Sequence, residues 1–164
     1  MTTLNKIKNT IIKYNLIGNN ELVTVALSGG FDSVCLLHAL HTLGYNIKAA
    51  HVNHCLRSEA DSDMEYVRNL TDKMGIELFC KKIDVKKYAA ENKLSEETAG
   101  RFVRYNFFAE ITSNHGGVIA TAHNSNDNAE SFMMHLIRGS GLSGLTGIRP
   151  KTEIDGCKVI RPLI

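Results

Sequence analysis

Apolar residues in this chain fall in short blocks separated by polar, periodic stretches, and the blocks alternate between two spacings. Residues 21–27, ELVTVAL, form a β-branched apolar run that stops at Ser-Gly-Gly, and residues 32–43, DSVCLLHALHTL, follow with helical spacing. That order predicts a strand, a tight loop and a helix. It recurs: 46–53, NIKAAHVN, predicts a second strand, 58–74 a helix opened by Ser58, and 76–85, IELFCKKIDV, a third strand ending near Asp84. Ser95, ahead of Glu96 and Glu97, suits the acidic first turn of a helix running to about Ile111. GGVIATA at 116–122 predicts the fourth strand, and a helix from about Asn126 to Ile137 comes after it. The glycine-rich RGSGLSGLTGIRP follows, then a small hairpin around Asp155-Gly156. Ahead of everything, Leu4, Ile7, Ile11 and Ile12 mark a short amphipathic helix over 3–17.

Strands alternating with helices predict an α/β fold, one Rossmann-like domain over 1–164 with a mostly parallel sheet and helices on both faces. Ligands in such sheets bind beyond the carboxyl ends of the strands, where the strand order reverses. The residues to inspect are therefore 28–33, 51–57, Asp84 and 123–130.

Composition narrows the picture. With 164 residues and 43% apolar content the chain can bury one core without staples. No apolar block approaches the roughly 18 to 20 residues of a membrane helix. The lysine-dotted N-terminus has no apolar run ahead of a cleavage site, so the expected location is the cytoplasm. Cys35, Cys55, Cys80 and Cys157 are far apart and form no CxxC pair, against a redox motif or a secreted disulfide framework. A net charge of +2 is too small to predict nucleic-acid binding by itself. The run Lys81, Lys82, Lys86, Lys87 and Lys93 reads as a solvated helix face.

The chemistry concentrates after the strands. Ser28, Gly29, Gly30, Phe31, Asp32 and Ser33 lie between a strand and a helix, where the glycines let backbone N–H groups turn inward around an anion and the serine hydroxyls add hydrogen bonds. Asp32 would repel phosphates unless it holds a cation, either Mg²⁺ or a substrate amine. No GxxxxGK[ST] is present, so the loop is not of the Walker type and phosphate charge must be met by metal and arginines. His51, Asn53, His54 and Arg57 close the second strand and offer contacts to nucleotide or substrate. Arg101 and Arg104, with Tyr105, place two guanidiniums three residues apart on one helical face, a fork for a carboxylate or phosphate. His123, Asp127 and Glu130 come at spacings that let them share a face, suited to metal binding, base work or ammonium capture. The GxGxxG match at 139–144 follows a helix rather than a strand and is rejected as a dinucleotide fingerprint; its glycines read as a mobile loop near the phosphates, with Arg138 and Arg149 as charge partners.

The loop at 28–33 resembles that of the N-type ATP pyrophosphatases, the PP-loop family. LSGGFDS, HVNHCLR, ETAGRFVRY, TAHNSNDNAES, RGSGLSGLTGI and VIRPLI, in this order, resemble the catalytic domain of the tRNA(Ile)-lysidine synthases. The resemblance implies an adenine nucleotide alpha hydrolase-like fold and an enzyme that uses ATP and Mg²⁺ to adenylate the C2 carbonyl of the wobble cytidine of tRNA(Ile). Free lysine then displaces AMP. It also implies that Ser28, Gly29, Gly30, Phe31, Asp32 and Ser33 hold the phosphates, that Asp32 and Asp127 serve the metal, and that His51, Asn53 and Arg101 contact nucleotide. Arg104, His123, Asp127 and Glu130 would act with Asp32 in catalysis and lysine capture. The family block HxxDDQxET is altered here by Asn126, Asn128 and Ser131. The family also continues into helical domains that grip tRNA, whereas this sequence ends just after the RPL motif, so a further region or a partner chain is expected to supply that grip. The competing expectations are a PP-loop tRNA thiolase and a non-catalytic ATP-binding module.

Overall fold

The computed structural model describes residues 2–139 and 147–164. Its centre is a six-stranded sheet in the order β3-β2-β1-β4-β6-β5. The strands are β1 (Val23–Ala26), β2 (Ile47–Asn53), β3 (Leu78–Lys82), β4 (Val118–Ala120), β5 (Lys151–Ile154) and β6 (Cys157–Ile160). β1 pairs in parallel with β2 on one side and with β4 on the other, β6 pairs in parallel with β4, and β5 alone runs antiparallel, against β6. The chain therefore leaves β1 in one direction and β4 in the other. The crevice between their carboxyl ends is where such a sheet opens for a ligand.

Side chains alternate across this sheet, which sorts the helices. Val23, Val25, Ala49, Val118, Ala120 and Ile160 face α1 (Thr3–Lys13), α2 (Phe31–Thr42) and α3 (Ala60–Met74) through Ile7, Ile11, Leu36, Leu37, Leu40 and Val67. Ala50, Ile119, Cys157 and Val159 face α5 (Glu96–His115) through Tyr105, Phe107, Phe108 and Ile111. Helices thus cover both faces, as alternation in the sequence predicts.

Several boundaries differ from expectation for local reasons. α1 stops at Lys13 rather than continuing to 17, because Asn15 takes a left-handed conformation at φ 46° and Leu16 turns back into the core. α3 begins at Ala60, and the Ser58 hydroxyl, instead of capping it, bonds to the Glu59 carboxylate at 2.8 Å. Ser95 does cap α5, accepting from the Thr98 N–H at 3.1 Å, but that helix runs on to His115 before Gly116 ends it. The strand expected to end near Asp84 instead ends at Lys82, and a helix, α4 (Val85–Asn92), follows; Asp84 caps it and Val85 and Ala89 bury its inner side. Asp155 and Gly156, at φ 50° and 78°, make the hairpin turn, and its second strand joins the sheet against β4. Gly117, at φ 85°, lets β4 approach β1 closely, since a Cβ there would fall onto the Leu22 carbonyl.

α6 (Ser125–Ile137) buries none of its residues. Its half-buried positions are polar, Asp127, Asn128, Ser131 and His135, while Met133, Met134, Leu136 and Ile137 point outward. Asn128 ties it to the returning chain by accepting from the Ile148 N–H at 2.6 Å. Among the described residues no helix is long and apolar enough to cross a membrane.

A candidate nucleotide site at the switch point

The loops after β1, β2 and β4 converge on a cavity of about 500 Å³. Its lining includes Ser28, Gly30, Phe31, Asp32 and Ser33 from the first loop, His51, Asn53 and His54 from the end of β2, Arg104 and Tyr105 from α5, and Thr121, His123 and Asp127 from the segment after β4. Of the residues that the sequence singles out, Gly29, Arg101 and Glu130 lie outside this lining.

The loop after β1 is held by its own hydroxyls. The Gly30 N–H donates to Ser28 Oγ at 3.3 Å, Ser28 and Ser33 hydroxyls bond at 3.1 Å, and Ser33 Oγ–H donates to the Gly30 carbonyl at 2.8 Å. These bonds close a ring, so the hydroxyls shape the loop first and reach a ligand only by rotating. Gly29 sits at φ 88°, which a glycine adopts without strain. The N–H groups of Phe31 and Asp32 open α2, and no acceptor takes them among the described residues. A helix N-terminus with free N–H groups beside a cavity favours an anion.

Two imidazoles wait for partners in the same cavity. The His51 Nδ1–H donates to the Leu27 carbonyl at 2.8 Å, which leaves Nε2 as a bare acceptor, buried and unpartnered. It suits a ligand that offers an N–H or O–H, such as an exocyclic amine or a ribose hydroxyl. His54 Nδ1 is also buried without a partner. Burial holds the His54 ring below its ordinary pKa, and the charge of Arg104 adds to the effect.

After β4, Asn124 joins the two loops. Its Oδ1 accepts from the N–H groups of Asn126 and Asp127, its own N–H donates to Asp127 Oδ2 at 2.8 Å, and its Nδ2 donates to Asp32 Oδ2 at 3.1 Å. Asp127 therefore completes a capping box as well as facing the cavity. His123 precedes the helix, with Nδ1 hydrogen-bonded to Thr121 at 3.0 Å. Burial depresses its pKa most, followed by the charge of Arg161; Asp127 opposes the shift, and Arg104 and Arg101 add to it. Glu130 is exposed farther along α6. The structure thus brings His123 and Asp127 together with Asp32 and leaves Glu130 apart.

Three other residues have roles that their sequence positions do not announce. Asn53 is buried, but its amide donates to the Ala60 carbonyl at 3.0 Å and to Asp61 at 2.8 Å and accepts from the Cys55 N–H at 2.9 Å, so it organises the loop after β2. Arg101 is exposed and rests over the Tyr105 ring, 4.8 Å from its centroid. Arg161 is 7% exposed and meets no carboxylate among the described residues; its guanidinium donates to the Arg149 carbonyl at 2.7 Å and leaves Nε unpartnered. Burial lowers its pKa, Tyr105 opposes the shift and the charge of Arg101 adds to it. The xRPL stretch carries no cue that its arginine is internal. Asn124 and Asp127, by contrast, form a cap signature that could have been read.

Among the described residues no three His, Cys, Asp or Glu side chains cluster so as to hold a metal ion. Gly139 is described, but the rest of the glycine-rich match, residues 140–144, lies outside the described residues.

A profile of the PP-loop domain matches residues 2–164. The chain belongs to the PP-loop family. That membership supports ATP binding. Among curated relatives, a tRNA(Ile)-lysidine synthase of Clostridium acetobutylicum is 49% identical over 98% of this chain and 36% of its own length. One from Clostridium tetani is 46% identical over 95% of this chain and 34% of its own length. One from Bacteroides thetaiotaomicron is 44% identical over 94% of this chain and 36% of its own. The chain spans about a third of the length of these relatives. Among solved structures, a U34-tRNA thiolase of Methanococcus maripaludis with its [4Fe-4S] cluster superposes with a TM-score of 0.76 at 21% identity, covering 98% of this chain and 58% of that one. An NH3-dependent NAD synthetase of Campylobacter jejuni gives 0.59 at 14%, over 98% and 65%. At these identities the two structures bear on the fold alone.

Proposed function

We propose that this PP-loop domain adenylates the C2 carbonyl of the wobble cytidine of tRNA(Ile) and joins free lysine to it, releasing pyrophosphate and then AMP. The observation that carries the reading is the similarity to lysidine synthases along nearly the whole chain, with the cavity at the switch point as its physical counterpart.

In this reading the free N–H groups of Phe31 and Asp32 and the loop at 28–33 hold ATP phosphates, and His51 Nε2 accepts from the nucleoside. The carbonyl oxygen of the cytidine attacks the α-phosphorus and pyrophosphate leaves. The lysine ε-amine then attacks C2, loses protons and expels AMP. His123, kept neutral by burial and nearby arginines, is the group placed to take such a proton. Arg104 faces the cavity and neutralises a phosphate or the lysine carboxylate, while Arg101 and Glu130 are exposed and lie outside its lining.

The donor set also fits Mg²⁺. Asp32 and Asp127 line the same cavity and are joined through Asn124, and Mg²⁺ ordinarily takes one or two carboxylates together with substrate phosphates. When bound, the ion would offset phosphate charge. A thiolase reading that needs an iron–sulfur cluster is disfavoured, because the four cysteines stand on α2, β3, β6 and the loop after β2.

The test is pyrophosphate release by this chain with ATP and Mg²⁺, with and without tRNA(Ile) and lysine. Release stimulated by tRNA and lysine together, with label from lysine entering the tRNA, is the expected result. ATP binding without any such stimulation would reduce the chain to a binding module.

A further inference from the structure

Phe31 is 93% exposed, the highest value among the large apolar side chains of the described residues. Its place makes this unusual: it is the first residue of α2, directly after the glycines, and it lines the cavity. The fold does not need an apolar side chain there, because α2 packs through Ser33, Leu36, Leu37, Ala39 and Leu40.

A second apolar group stands at the same opening from another segment: Leu56, 38% exposed, lines the cavity from the loop after β2. Arg57, also in the lining, presents a guanidinium held by Asp63 at 3.2 Å. The floor beneath is polar, made by the phosphate loop, His51, Arg104, His123 and Asp127. The opening therefore carries an exposed aromatic ring, an aliphatic side chain and a guanidinium, and the interior is lined by charged and hydrogen-bonding groups.

An apolar protein segment would meet this polar floor with nothing to match it. Nor is the ring placed for the base of ATP, because the Phe31 N–H is one of those that meet the phosphates, and the side chain stands at that end of the nucleotide. Unpaired nucleobases stack on aromatic and guanidinium planes while their edges hydrogen-bond beyond. We propose that Phe31 is the stacking platform for an unpaired nucleobase of the RNA substrate at the phosphate-loop side of the cavity. The inference rests on the reading above that RNA is the acceptor, and it adds the surface that receives it.

The test compares the parent with F31A, F31L and F31Y, each checked by urea unfolding, since an exposed side chain is removed without a cavity. Lysine incorporation is measured against tRNA(Ile) concentration, and binding of a labelled anticodon stem–loop is followed by anisotropy at low salt with ATP present. F31A and F31L should weaken RNA binding, or raise the KM for RNA, by about tenfold to a hundredfold, with F31Y close to the parent. That loss should exceed any change in ATP affinity at least by about tenfold, by the same arithmetic. An F31A chain that handles RNA like an active parent overturns the platform and leaves the ligase reading standing. So does an F31Y as weak as F31A, which would mean that stacking is not the interaction. A parent that neither binds nor modifies RNA overturns the ligase reading and the platform with it.

Discussion

Replacing Gly30 by alanine separates what the phosphate loop does for a ligand from what it does for the fold. Gly30 has φ −74° and ψ 161°, an extended conformation open to any residue, and a Cβ there meets only Ser28 Oγ at 3.4 Å. The change in stability should stay within about 0.5 kcal/mol of zero, as for a substitution away from any packing feature. The new methyl would nonetheless stand in the cavity lining, ahead of the Phe31 and Asp32 N–H groups. A hydrogen bond to a charged group contributes about 1.5 to 3 kcal/mol, so blocking two removes about 3 kcal/mol or more. That is at least about a hundredfold in Kd for ATP. Gly29 supplies the contrast. At φ 88° an alanine is strained by roughly 1–2 kcal/mol, so Gly29→Ala should destabilise the fold itself. Urea unfolding and calorimetric titration with ATP and Mg²⁺ measure the two effects separately. A folded Gly30→Ala chain that binds ATP within a factor of about three of the parent would refute the assignment of the phosphates to this loop.

Asn124→Ala should destabilise the chain by about 1 kcal/mol through loss of the α6 cap, and should also weaken ATP with Mg²⁺ because Asp32 loses its partner; a thermal melt and affinity equal to the parent's would contradict this. His54 and His123 are both held below the ordinary value of 6.5, so as pH falls through that value the unfolded chain binds protons that the folded chain refuses. Stability should therefore drop between about pH 7.5 and about pH 5.5, and His54→Gln should lessen the drop; an unchanged slope in urea midpoints would remove His54 from the account. With a net charge of +2, this chain alone should bind tRNA weakly, with Kd above about 1 μM at physiological salt, which a gel-shift titration at two salt concentrations checks.

The parallel sheet was legible because periodicity survives where burial is two-sided. Val23 and Val25 are fully buried, and a central strand of this kind reads as a continuous apolar run followed by a loop. α4 escaped because its inner side needs only Val85 and Ala89, and the lysines around them dominate the pattern. The hairpin turn was visible in Asp155-Gly156, but its pairing with β4 was not, since a turn signal carries no information about the neighbour that a strand finds across the sheet. The same limit explains α6, whose sequence announces a helix but not that the side turned to the domain is polar.

At the site, residue types were easier to read than their partners. The glycines and Asp32 mark 28–33 as a candidate phosphate loop because backbone geometry and charge act locally, within six residues of chain. Whether a polar group is free for a ligand depends on atoms far away in sequence. Asn53 and Asp127 are polar residues at strand ends, as the site requires, yet the first is committed to the loop after β2 and the second shares its carboxylate with the α6 cap. His51 has the opposite fate: the Leu27 carbonyl fixes its tautomer from the neighbouring strand, so a buried ring keeps one acceptor that no described protein group satisfies. Arg161 completes the argument. A buried guanidinium without a carboxylate is costly to hold, and here it sits beside Tyr105 and Arg101, where its charge helps to keep His123 neutral.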